Sequence, residues 1–111
     1  MTDNVPHIEE LRWSTLSLTE QMANIGSEVG RTLKWMEKGK EKMSEGAFVR
    51  ALDLIDATIK YGRLNSPMRS SLLIELCRAR EMFVGAYLNQ DINNCHYLNK
   101  YFGQFASALR R

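Results

Sequence analysis

Arg80 is the residue with the most chemical promise in this sequence. It stands in "ELCRAREMFVGAY" (75–87). Leu73, Leu76, Cys77, Phe83, Val84 and Tyr87 recur there at helical spacing, and steps of about 100° per residue put Arg80 in the middle of their arc. A guanidinium at that point is expected to be buried or half-buried. It then needs a carboxylate, because an unpaired buried charge is strongly destabilising. Glu28 and Asp56, at the edges of two other apolar stripes, are the candidate partners. The set Arg80, Glu28 and Asp56 is thus either a buried ion pair that locks helices together or a site where Arg80 binds a phosphate or a partner's carboxylate.

Other chemistry is thinly represented. Cys95 and His96 are neighbours, and on a helix they point about 100° apart, so they form no dyad by themselves. Cys77 and Cys95 match no zinc spacing and read as structural thiols. No carboxylate stands three or four residues before His96, so the Glu-x-x-His pairs of a di-metal bundle are missing, and His7 lies in an N-terminal arm. Neither a glycine-rich phosphate loop nor a nucleophile elbow is present. The reading therefore assigns no catalytic, cofactor or metal residue. Arg78 is expected to pair on the surface with Glu75, and the aromatics of "YLNKYFGQF" (97–105) read as core rather than as a base-stacking platform.

These residues must be held by helices. "SLTE" (17–20) is a capping box, and Leu18, Met22, Ile25, Val29, Leu33 and Met36 then repeat at helical spacing toward 39–42. Ser44 is the candidate cap of a second helix carrying Phe48, Ala51, Leu52, Ile55 and Ile59, with Gly62 as its stop. Ser66 and Pro67 open a third, with Met68, Leu72, Leu76, Ala79, Phe83 and Tyr87, ending near Leu88. After the polar link "NQDINN" (89–94), a fourth carries Leu98, Tyr101, Phe102, Phe105 and Leu109. Residues 1–16, with Asn4, Pro6, Ile8 and Leu11, read as a short helical arm. No strand alternation appears. The expectation is an all-α, antiparallel up-down four-helix bundle over 17–111, preceded by that arm.

"NIGSEVGRTLKW" (24–35) carries two glycines inside the first helix. Each costs about 1 kcal/mol relative to alanine. The same projection sets Thr19, Ala23, Gly26 and Gly30 on one smooth shoulder of the apolar face, where another backbone can come close. The approaching element is either the fourth helix or a second subunit.

Composition sets the remaining bounds. The chain has 111 residues, 44% hydrophobic and 25% charged, which suits one domain with a single core. Its formal charge of +2, from 15 basic and 13 acidic residues, gives no general attraction to nucleic acid. No apolar run is long enough to span a bilayer, and the sparse cysteines point to a reducing cytoplasm.

The segments "NIGSEVGRTLKW", "AFVRALDLIDATI", "ELCRAREMFV" and "YFGQFASALR" resemble a group of small prokaryotic helical-bundle proteins of undetermined function, over most of residues 13–111. That resemblance implies the fold and carries no activity with it. More distantly, the bundle is similar to the HEPN class, whose members include ribonucleases and partners of small nucleotidyltransferases. The ribonuclease motif of that class is an arginine followed four to six residues later by a histidine. Here no arginine precedes His7, and His96 comes sixteen residues after Arg80. The leading expectation is a non-enzymatic interaction or accessory protein, with a protein partner or a second copy of itself. An RNA-related nucleotidyltransferase partner or ribonuclease is the rival implied by the HEPN likeness, and it calls for Arg31, Arg78 and Arg80 around one cleft. An anion or small-ligand receptor built on Arg80 is the third.

Overall fold

The computed structural model describes residues 12–61 and 70–110. They form four helices, α1 (Leu18–Glu37), α2 (Glu41–Tyr61), α3 (Ser70–Leu88) and α4 (Ile92–Leu109), and no strand occurs among the described residues. The arm positions Asn4, Pro6, His7, Ile8 and Leu11, and the turn positions Gly62, Ser66, Pro67 and Met68, lie outside the described residues.

α1 opens as its capping box dictates. The Ser17 hydroxyl accepts the Glu20 N–H at 3.1 Å, and the Glu20 carboxylate accepts the Ser17 N–H at 2.9 Å. Hydrogen bonding to the Glu20 carboxyl from the Ser17 backbone N–H, foremost, and from the Ser17 side chain holds it below its ordinary pKa. At the other end Gly39 takes φ +70, the Gly39 N–H reaches Met36 O at 3.1 Å and the Lys40 N–H reaches Trp35 O at 2.9 Å. This left-handed closure satisfies the last carbonyls and stops α1 at Glu37.

Both links depart from expectation. Because one glycine completes the reversal, α2 begins at Glu41, and Ser44 is not its cap but a residue of its first turn, donating to the Glu41 carbonyl at 2.9 Å. The α3–α4 link is also shorter than "NQDINN". Gln90 takes φ 51, Asp91 accepts the Asn94 N–H at 3.1 Å as N-cap, and Ile92 is already helical.

The core draws on all four helices: Met22, Ile25 and Val29 from α1, Ala51 and Ile55 from α2, Leu76, Ala79 and Phe83 from α3, and Leu98 and Phe102 from α4. α1 packs broadly against both α2 and α4, whereas α3 rests more lightly on α2 and α4, an arrangement compatible with a bundle. Trp13, just before α1, is buried and donates its indole N–H to Thr58 Oγ1 at 2.8 Å. No helix among the described residues is long and apolar enough to cross a membrane.

The two thiols differ sharply. Cys77 is exposed. Cys95 is fully buried beside Leu33, Met36 and Ala86, donates to Met36 Sδ at 3.7 Å, and has its pKa pushed up to about 11, chiefly by burial. Titration of native protein with a thiol reagent near neutral pH is expected to modify Cys77 quickly and Cys95 only on unfolding. The folded chain keeps the Cys95 proton up to about pH 11, while an unperturbed thiol releases it near 9.0, so its contribution to stability is lost as pH rises through that window.

Candidate functional site

Arg80 meets Asp56 across α3 and α2 by two parallel bonds, Nε to Oδ1 at 2.7 Å and Nη2 to Oδ2 at 3.2 Å. The pair is half-buried on the Arg80 side and exposed on the Asp56 side, with side chains 36% and 53% exposed. Arg80 is half-buried, at the shallow end of the expectation, for a physical reason. The buried residues of α3 are Leu76, Ala79, Phe83 and Ala86, so two alanines, small but fully part of the contact, turn the inward arc toward themselves and leave Arg80 about 80° from its centre.

Glu28 belongs to a different set. It accepts from Arg31 at 3.0 Å and from Arg50 at 3.3 Å, joining α1 to α2. Its partners are thus one residue i+3 on its own helix and one on α2. The Asp56 hydrogen bonds raise the pKa of Arg80 further, against a smaller opposing effect of burial. The guanidinium fork already has its carboxylate. Arg80→Met is expected to lower stability by no more than about 1 kcal/mol in a denaturant titration, the scale of a solvent-screened pair.

Gly26 and Gly30 face α4. A Cβ on Gly26 would stand 2.9 Å from the Phe102 Cβ and 3.4 Å from that residue's carbonyl carbon and oxygen, and one on Gly30 would stand 3.1 Å from Asn99 Oδ1. Thr19 and Ala23 are half-buried on the same helix. The element close to both glycines is therefore a helix of the same chain.

Sequence reasoning missed a groove between α3 and α4. Ile74, Arg78 and Met82 follow one another at single-turn intervals on α3, and Tyr97 and Tyr101 stand across from them on α4; together they border an open hollow of about 310 Å³. Three of these side chains are large, apolar in body and uncovered: Ile74 is 53% exposed, Met82 40% and Tyr97 60%. Tyr101 donates its hydroxyl to Glu75 Oε1, and burial followed by this bond pushes its pKa up, so the phenol stays protonated. Glu75 is thereby turned toward Tyr101, and no ion pair of Arg78 occurs among the described residues, contrary to the Arg78–Glu75 pairing the spacing suggests. The available signal was a remainder: Ile74 and Met82 are apolar residues of α3 that fall outside its main stripe.

Comparison with protein-family models, curated proteins and solved structures finds no match for this chain.

The other candidates are dispersed. Arg31 pairs with Glu28 on its own helix, Arg80 with Asp56 across α2 and α3, and Arg78 lies in the α3–α4 groove, so the three arginines share no cleft. His96 Nε2 lies 3.0 Å from Glu37 Oε2, while Cys95 on the preceding position turns inward to Met36. Among the described residues no group of three or more His, Cys, Asp or Glu is placed to hold a metal ion. A second hollow at the α1–α2 corner is bordered by Trp35, Lys40, Ser44 and Tyr87. Its Ser44 hydroxyl is engaged by the Glu41 carbonyl, and Lys34 and Lys38 both approach the Trp35 ring.

Proposed function

We propose that this chain is a non-enzymatic interaction protein, an antiparallel up-down bundle with a short N-terminal arm, which receives a protein partner in the α3–α4 groove. The observation that carries the reading is the run of three uncovered side chains, Ile74, Met82 and Tyr97, bordering one hollow. Isolated apolar residues on a surface need no explanation; a set converging on a groove marks a docking surface. Pairings in reversed chain order support the antiparallel arrangement: Gly26 with Phe102 and Met36 with Cys95, Trp13 with Thr58 and Glu28 with Arg50, and Asp56 with Arg80 and Ser44 with Tyr87. The anchored Trp13 supports the arm, and two separate free thiols favour a reducing cytoplasm.

The dispersal of Arg31, Arg78 and Arg80 gives an RNA-related role no shared basic cleft, and the Asp56 bonds leave Arg80 little capacity as an anion receptor. The test is a photo-crosslinking phenylalanine analogue placed at position 97 in living cells, with position 53 on exposed α2 surface as control. A discrete protein adduct formed at 97 and not at 53 is the expected outcome. Equal labelling at both positions, or none at 97, overturns the reading.

A further inference from the structure

Resting on that docking surface, we infer that its occupant is an acidic amphipathic helix, with two apolar side chains about two turns apart and a carboxylate between them that meets Arg78. Ile74 and Met82 are eight residues apart on α3, about 12 Å along its axis, and Arg78 lies midway between them. A ligand helix lying along the groove repeats this spacing, so its apolar anchors bracket the guanidinium. An occupant apolar throughout would strip water from Arg78 and give it nothing in return, a strongly unfavourable exchange. A carboxylate at that point forms two parallel charge-assisted bonds, and a basic residue there is repelled.

The surroundings leave that role open. Glu75, the acid one turn before Arg78, also lines the groove, but it accepts from Tyr101 and makes no ion pair with Arg78. Glu81 is exposed and stands outside the groove lining. A second copy of the chain is a poorer occupant. Two α3 helices related by a two-fold axis through the midpoint of the Ile74–Met82 stripe would bring Arg78 against Arg78.

The test is selection of a randomised helix-biased peptide library, displayed on phage, against the whole folded chain. Enriched peptides are expected to carry Asp or Glu between two apolar positions, to bind Arg78→Glu at least about tenfold more weakly, and to carry Lys or Arg there when selection is repeated on Arg78→Glu. Arg78 is solvent-exposed, and thermal melts establish that each variant is folded. Peptides that depend on Ile74, Met82 and Tyr97, tested as serine variants, but show no acidic preference overturn the inference and leave the docking surface standing. Peptides indifferent to those three serine variants overturn both. A dimer in native mass spectrometry that Tyr97→Glu dissociates assigns the groove to a second copy and overturns the acidic helix.

Discussion

Phe83→Ala is expected to cost about 4 kcal/mol of stability, the range of buried phenylalanine truncations. Phe83 is fully buried, its ring lies 5.1 Å from that of Phe48 on α2, and it belongs to the cluster that also holds Leu76 and Phe102. α3 contacts its neighbours lightly, so few other side chains are placed to close the void left by the ring. Denaturant unfolding should show the midpoint falling with little change in slope, provided the variant keeps its compact native state. A loss below about 1 kcal/mol would mean that α3 is not held by this side chain.

Gly26→Leu is expected to cost about 3 kcal/mol, although leucine is a better helix former than glycine by nearly 1 kcal/mol. The two effects have opposite signs, and the geometry decides between them. The new Cβ would stand 2.9 Å from the Phe102 Cβ and 3.4 Å from backbone atoms of the same residue, so relief requires α4 itself to move. Gly103 makes the contrast. A Cβ there meets nothing within 4 Å, so Gly103→Ala keeps the propensity gain and should raise stability slightly in the same titration. Phe102→Ala will not rescue Gly26→Leu, because alanine retains the Cβ that causes the clash.

The helices were legible because each carries a strong periodic signal. The Ser17–Glu20 box and the stripe Met22, Ile25, Val29 and Leu33 are local features, and local features are what a sequence states directly. Ser44 was misjudged because Gly39 reverses the chain within one residue, which hydroxyl spacing does not reveal. Asp56 was findable as a partner of Arg80, but the partial exposure of their pair was not, since the arc drawn around Arg80 gave no weight to Ala79, itself a residue of the stripe, and left out Ala86. The α3–α4 groove was invisible for a different reason. Whether Ile74, Met82 and Tyr97 converge depends on which helices end up adjacent and at what separation, and no local pattern encodes either.

The reach of α1 across the chain has a consequence for how the protein is made. α1 packs on its immediate successor α2, but its other flank is covered by α4, and Met36 meets Cys95 fifty-nine positions later. On the ribosome α1 and α2 are therefore able to pair while α4 is still unsynthesised or inside the exit tunnel. Until then the nascent chain presents a water-exposed strip around Gly26 and Gly30, smooth enough for any passing helix to lie against. Closing so distant a contact is entropically costly and slow compared with pairing α1 and α2. The narrow seam that fits Phe102 so tightly in the finished protein is thus also the surface that a holding chaperone would find uncovered longest.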